Sequence, residues 1–445
     1  MEINMSFREE TLKMVSDKHR PKFHFAAPGL DAYPGDPNGA FYADGEYHLM
    51  YLYRNHDTEG FHWGHIKSRD LLHWEEMPDA LTTDNDEGCF SGGAFLDDDG
   101  TAYLTFWKFI DKDGADNSGI AIACSKPPYV KWERITPIAV NASYWGIKDI
   151  EIDGEIVHVG NADPSNIWKI DDTYYMQLGN LVVLNEFGRD ENSEEKYKGD
   201  WTELYKSKDL KNWEYVHRFY KNDHSNPEWP DVTEDDMCPS FLPLPDKKSG
   251  GQLTDSWLQL FIAHNRGCQY YIGTMDDETF YPEKHGRMSW NYDTFFAPEA
   301  LIDDKNRHIM WVWFRESPDK YEKYGWAGVY SFPRLLWLED GELHMAPADE
   351  LDILEYGGKI YAPGAFSGKE KIDFTNGEQF RIKSEIDLKE NAGFIVKADD
   401  DFKEYIEITV DRKDKKLRFK SVASGKEEIE EAPFELKNGE KLYLL

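Results

Sequence analysis

Apolar and polar residues alternate in short runs along this chain, and the runs come in pairs. The first pair runs Phe41-Tyr42-Ala43, then Asp44-Gly45, then Glu46-Tyr47-His48-Leu49-Met50-Tyr51. A short strand, an Asp-Gly turn and a second, aromatic-rich strand predict a β-hairpin. Four more copies follow: Phe95 to Phe106, Ile167 to Leu178, Phe241 to His264 with a polar insertion, and Leu301 to Phe314. A hairpin recurring at such intervals predicts a β-propeller with one copy per blade, hence five blades.

The residues ahead of each hairpin carry the chemistry. Asp36-Pro37 stands eight residues before Asp44, and Asp163-Pro164 stands eight before Asp171. The equivalent places in the other copies hold Ser91-Gly92, Cys238-Pro239 and Ala297-Pro298. Equivalent inner-strand positions converge on a propeller axis, so Asp36 and Asp163 are expected to face one funnel. Two carboxylates meeting there suggest glycoside chemistry.

A second echo links the strands that follow. Ser68-Arg69-Asp70-Leu71-Leu72-His73-Trp74-Glu75 matches Ser207-Lys208-Asp209-Leu210-Lys211-Asn212-Trp213-Glu214, with a degenerate copy from Cys124 to Glu133. An exposed turn followed by a Trp packed between blades explains it without invoking function. Residues 6–20 are expected to form a short amphipathic helix. The predicted organisation is an N-terminal extension (1–22), a five-bladed propeller (23–347), a linker (348–364) and a small β-sandwich (365–445). In the last, Phe380 to Leu388 and Tyr405 to Val410 alternate with period two. The chain stops at Leu442-Tyr443-Leu444-Leu445, within an expected strand, so the sandwich reads as incomplete, with an open edge. The fold class is therefore all-β.

Composition narrows the partners. At 445 residues the chain can bury a large core. A formal net charge of −34 disfavours nucleic acid and anionic membrane, which would be repelled. Aromatics reach 15%, enough to line a sugar cleft. No apolar stretch resembles a signal peptide or a transmembrane helix. Cys89, Cys124, Cys238 and Cys268 lack metal-ligand spacing and read as reduced thiols, which suits the cytoplasm. No cofactor or metal is expected; an oligosaccharide substrate is, and self-association is left open.

These residues resemble glycoside hydrolase family 32, the β-fructofuranosidases that include invertases and fructan hydrolases. The likeness runs through Gly35-Asp36-Pro37-Asn38-Gly39, Trp63-Gly64-His65, Phe90-Ser91-Gly92, Ala162-Asp163-Pro164, Cys238-Pro239, Phe295-Phe296-Ala297-Pro298, Ile309 to Trp313 and Gly325-Trp326-Ala327-Gly328. It implies a five-bladed propeller followed by a sandwich. It also implies Asp36 as nucleophile and Asp163 as the carboxylate that stabilises an oxocarbenium-like transition state. Asn38, Trp63, Phe90 and Ser91 match positions lining the sugar subsite, with Met237, Cys238 and Trp313 nearby. Trp63 is expected to offer an apolar face to the furanose, and Asn38 and Ser91 to bond its hydroxyls.

The departures are equally specific. The resemblance implies an acid/base Glu immediately before Cys238-Pro239, where this chain has Met237. Gly35, Leu52, Ala162 and Phe296 likewise replace the family's Asn, Gln, Arg and Tyr. Every one removes a polar group. Glu234-Asp235-Asp236 precedes Met237, making Asp235 and Asp236 candidate replacement acids, with Glu203 and Glu299 behind them. In an extended strand Asp235 would share the Met237 side and Asp236 would point away. Asp111 to Asp116 has calcium-loop acidity without the downstream Glu, and reads as a polar turn. His65 and His264 read as structural or sugar-contacting histidines. The expected function is a retaining glycosidase or transglycosidase on β-fructofuranosides: sucrose, fructo-oligosaccharides or related difructose compounds. The alternative is a carbohydrate-binding propeller that has lost turnover.

Overall fold

The computed structural model describes all residues except 1–11, 19, 27–33, 56–57, 59, 84–86, 111–117, 223–225, 228, 230–234, 265, 291–293, 317–322, 362–363, 366, 373–378, 438 and 445. The Asp111 to Asp116 turn and Glu234 fall outside the described residues. So does the first half of the expected N-terminal helix, of which residues 12–16 are helical.

Each predicted hairpin opens one antiparallel sheet. The first sheet runs Pro34–Ala43, Glu46–Arg54, Phe61–Ser68 and Trp74–Leu81 in that order. At its turn Asp44 and Gly45 both take positive φ, 53° and 80°. That is the backbone a tight two-residue hairpin needs and Asp-Gly supplies most cheaply. In the second sheet Glu87–Cys89 and Ala94–Leu96 both pair with Ala102–Ile110, followed by Gly119–Ser125 and Glu133–Asn141. The third begins with Ala162–Pro164 and Trp168–Ile170 on Thr173–Gly179 and ends with Asp200–Ser207 and Trp213–Asn222. The fourth runs from Met237–Lys247 to Thr279–Arg287, the fifth from Phe295–Ile302 to Glu342–Pro347. A separate hairpin, Ile147–Ile152 with Glu155–Gly160, lies between the second and third sheets in sequence and was not predicted.

Contacts link the five sheets in sequence. Pro34–Ala43 borders Ala94–Leu96 on one side and Phe295–Ile302 on the other. Ala162–Pro164 borders Ala102–Ile110 and Met237–Lys247, and Met237–Lys247 borders Phe295–Ile302. In three of these strands the residue before proline sits at positive φ: Asp163 (37°), Cys238 (47°) and Ala297 (47°). Each coincides with a break in strand register, at Ala162/Pro164, Met237/Ser240 and Phe296/Glu299. Proline offers no N–H to the ladder, and a bulge there re-aims the side chain beside it. A left-handed non-glycine residue costs about 1–3 kcal/mol, and such strain gathers at functional sites.

The repeated Ser-x-Asp-Leu segments are turns, as expected. Asp70 accepts backbone N–H bonds from Leu72 (3.0 Å) and His73 (2.8 Å), and Asp209 does the same for Lys211 (2.9 Å) and Asn212 (2.8 Å). Leu71 and Leu210 take matching φ values of 63° and 62°.

The chain divides into two compact units, residues 1–350 and 351–445. The second holds a four-stranded sheet (Asn391–Val396, Tyr405–Asp411, Lys416–Ala423, Lys426–Pro433) and a pair, Ser384–Ile386 with Leu442–Leu444. Leu388, Val410 and Leu442 form its buried core. The predicted strand from Phe380 to Leu388 pairs over Ser384–Ile386 only.

Candidate active site

Asp36 and Asp163 meet at the thiol of Cys238. Its sulfur lies 3.4 Å from Oδ2 of Asp36 and 3.4 Å from Oδ2 of Asp163. The two carboxylate oxygens are therefore separated by less than twice that distance. The equivalence of Asp36, Asp163 and Cys238 in the repeat, read from their offset to the following turn, brings all three to one point.

The loop between the first two strands of the second sheet holds Asp36. Ser91 Oγ donates a hydrogen bond to Asp36 Oδ2. Asn38 braces the same loop: its Nδ2 donates to the Asp36 carbonyl (3.2 Å) and its Oδ1 accepts from Gly92 N–H (3.2 Å). Asn38 and Ser91 are both buried. Both hydrogen-bond to Asp36, Asn38 through the backbone carbonyl and Ser91 through the carboxylate.

Burial pushes the Asp36 carboxyl above the usual range, against the hydrogen bonds from Ser91 and Cys238 and the positive charges of Arg315 and His264. Asp163 is pushed up to about 6, by burial first and then by the charge of Asp36. Two carboxylates in one poorly solvated site resist ionising together. Burial and the same two acids lift the Cys238 thiol well above its ordinary value. It stays protonated and can donate its single hydrogen to one aspartate at a time.

The apolar replacements are buried, Ala162 and Met237 beside Asp163 and Cys238 in the chain. Ala162, Met237 and Phe296 belong to one buried cluster, and Leu52 packs against Gly35. Trp313 is buried in the same cluster, with the Arg315 guanidinium 4.6 Å from the Phe296 ring centre and 5.4 Å from that of Trp313. Phe90 is half-buried, packed against Phe61 and Trp107, and keeps some surface for a ligand.

Trp63 departs from expectation. It is 0% exposed, set against Phe106, with its indole N–H on the Phe90 carbonyl (3.2 Å). A ring sealed in the core offers no face to a sugar; it supports the loop carrying Phe90 and Ser91.

All four candidate acids are buried. Asp236 is fully buried, and its carboxyl oxygens take no hydrogen bond of normal geometry among the described residues. Burial raises its pKa well above the ordinary value, with the charge of Asp235 adding to this. Glu203 is held by Trp201 Nε1 (2.6 Å) and Tyr215 OH (3.0 Å). Glu299 accepts the Ala40 backbone N–H at 2.6 Å, tying the fifth sheet to the first. Asp235 is buried with both oxygens engaged: Oδ1 by the backbone N–H (2.9 Å) and ring Nδ1 (3.2 Å) of His264, Oδ2 by Arg189 (3.4 Å). Asp235 and Asp236 precede the strand that begins at Met237, so strand alternation does not govern where they point.

Sequence reasoning missed Arg315 and undervalued His264. The signal was available, because both stand one residue beyond the second strand of their hairpins, after Ala263 and Phe314. In an antiparallel pair that end returns to where the first strand begins. His65, by contrast, is structural as expected: its Nε2 lies 2.9 Å from His48 Nδ1, and burial lowers its pKa to about 3.

The description Glycosyl hydrolases family 32 N-terminal domain matches residues 24–347. The chain belongs to glycosyl hydrolase family 32. A sucrose-6-phosphate hydrolase of Zymomonas mobilis subsp. mobilis is 26% identical over 377 residues, covering 80% of this chain and 67% of its own length. Fructan 1-exohydrolase w1 of Triticum aestivum is 29% identical over 396 residues, covering 83% of this chain and 60% of that protein. This family 32 chain thus spans about two thirds or less of these relatives. Among solved structures, a GH32 β-fructofuranosidase of Bombyx mori shares the fold with a TM-score of 0.70 at 22% identity, covering 98% of this chain and 87% of that one. A sucrose-6-phosphate hydrolase of Lactobacillus gasseri does so with a TM-score of 0.71 at 18% identity, covering 99% and 86%. Within family 32, the site keeps the two aspartates and lacks the acid expected before Cys238.

Proposed function

We propose that this protein cleaves β-fructofuranosides with retention, Asp36 attacking the anomeric carbon and Asp163 stabilising the transition state. It is a glycosidase of the β-fructofuranosidase type. Its relatives are named for sucrose 6-phosphate and fructan, which supports sucrose-like compounds and fructo-oligosaccharides as the substrate class. One observation carries the reading: Asp36 and Asp163, far apart in sequence, converge on Cys238. Attack by Asp36 would form a fructosyl ester while the positive charge at the ring oxygen builds beside Asp163. The carboxylate pair strengthens that field because burial removes competing water.

A binding propeller is disfavoured. Two buried, mutually repelling carboxylates cost folding free energy, and recognition of a neutral sugar has no need of them. The five sheets are read as the blades of a propeller, supported by the contacts that link them in sequence, with the second unit as a small sandwich. A cytoplasmic location is supported by four cysteines that are free thiols, one of them in the site. The test is product chromatography after incubation with sucrose, sucrose 6-phosphate, short inulin and levan oligosaccharides, and difructose anhydrides. Release of fructose from at least one supports the reading; intact substrate throughout opposes it.

A further inference from the structure

We propose that His264, oriented by Asp235, delivers and recovers the proton of this reaction, filling the role for which Met237 has no chemistry; this rests on the glycosidase reading above. The geometry is that of an oriented imidazole. Asp235 Oδ1 receives the backbone N–H of His264 at 2.9 Å and faces its ring Nδ1 at 3.2 Å, while Arg189 holds the other oxygen at 3.4 Å. A carboxylate on Nδ1 fixes the tautomer and ring direction and leaves Nε2 as the nitrogen that exchanges protons. Nε2 makes no hydrogen bond among the described residues, and the side chain is 40% exposed against 1% for Asp235.

The ring lies within reach of the charges of both site carboxylates. Met237 pairs across the strand with Ile262, so His264 follows two residues beyond the partner of the missing acid. It packs T-shaped against the Phe296 ring with centres 5.9 Å apart. The groups whose charge reaches it are Asp235, Asp163 and Asp36, with Arg189 behind Asp235 and Arg315 beyond Phe296. Burial works to lower its pKa, yet the hydrogen bond and charge of Asp235, joined by Asp163 and Asp36, hold it above the ordinary histidine value. The imidazolium therefore persists toward neutral pH. Asp236, Glu203 and Glu299 are buried, whereas the His264 side chain is 40% exposed.

The steps balance. Asp36 oxygen bonds to the anomeric carbon as the glycosidic C–O bond breaks, and the departing oxygen takes the proton from His264 Nε2. Neutral His264 then takes a proton from water, or from a sugar hydroxyl in transfer, as that oxygen displaces Asp36. His264 ends protonated, and one water has been consumed in hydrolysis.

The experiment measures kcat/KM across pH for wild type, His264→Gln and Asp235→Asn, on sucrose and on 4-nitrophenyl β-D-fructofuranoside, whose phenol departs without protonation. Loss of a general acid is expected to cost sucrose about 10²- to 10⁴-fold and the aryl substrate less than about tenfold. Asp235→Asn, which weakens the base strength of His264, is expected to move the alkaline limb to lower pH. Equal losses on both substrates, full sucrose activity in His264→Gln, or an unmoved limb in Asp235→Asn would each overturn the assignment. A wild type inert toward both substrates, and toward sucrose 6-phosphate, the inulin and levan oligosaccharides and the difructose anhydrides, would instead overturn the glycosidase reading itself. A thermal melt of His264→Gln is expected to match wild type, since the side chain is half-exposed on a turn.

Discussion

Cys238 directs its thiol at Oδ2 of Asp36 from 3.4 Å. It makes the same approach to Asp163, so one neutral donor serves two acids that repel each other. A charged donor would neutralise the pair; a thiol tempers it and leaves both carboxylates able to act.

Replacing that donor is expected to move the acid limb of activity. Cys238→Ala removes a hydrogen bond that lowers the pKa of both aspartates. The acid limb of kcat/KM is expected to rise, by up to about one pH unit. Cys238→Ser retains a donor and is expected to shift it less. An unmoved limb in Cys238→Ala would contradict the shared-donor arrangement.

Asp163 is expected to destabilise the fold at neutral pH. Its folded pKa of about 6 lies above an unfolded value near 3.9, so the folded state holds the proton more tightly. Any stabilisation from this is complete below about pH 3.9 and lost as pH rises through about 6. Asp163→Asn is therefore expected to raise unfolding free energy at pH 7.5 by about 1–3 kcal/mol while abolishing most turnover. At pH 3.5 the gain is expected to vanish. Urea titrations at both pH values check this; no gain at pH 7.5 would contradict the buried-charge cost.

Trp63 separates a core residue from a sugar platform. Its complete burial implies that Trp63→Ala loses about 3–5 kcal/mol of stability. KM of the folded fraction is expected to change little. A large KM increase with an unchanged melting temperature would restore Trp63 to the sugar subsite.

Asn38 tests the bracing of the nucleophile. Asn38→Ala leaves the buried Gly92 N–H without its acceptor and frees the Asp36 carbonyl. Such a loss is expected to cost about 1–3 kcal/mol of stability. It is also expected to slow turnover by loosening Asp36, as read by kcat on sucrose beside a thermal melt.

The five hairpins were legible because their signal is local: an Asp or Gly turn sets the pairing whatever lies around it. Asp36 and Asp163 were legible because the same proline-linked position recurs ahead of each hairpin. Trp63 was not, because its burial depends on how the first and second sheets pack, which no run of residues records. The directions of Asp235 and Asp236 were not legible, because both lie ahead of the strand that begins at Met237, where alternation does not apply. His264 lies at the far end of the hairpin, next to Asp235 only once Met237–Lys247 and Gly250–Ala263 have paired.

The most direct test of the central claim is the anomeric form of a trapped product. In sucrose with added methanol, a fructosyl ester on Asp36 is expected to give methyl β-D-fructofuranoside, with retained configuration, readable by NMR because the methyl glycoside cannot mutarotate. Asp36→Asn is expected to give none. Formation of the α anomer, or of the β anomer at wild-type rate by Asp36→Asn, would contradict the account.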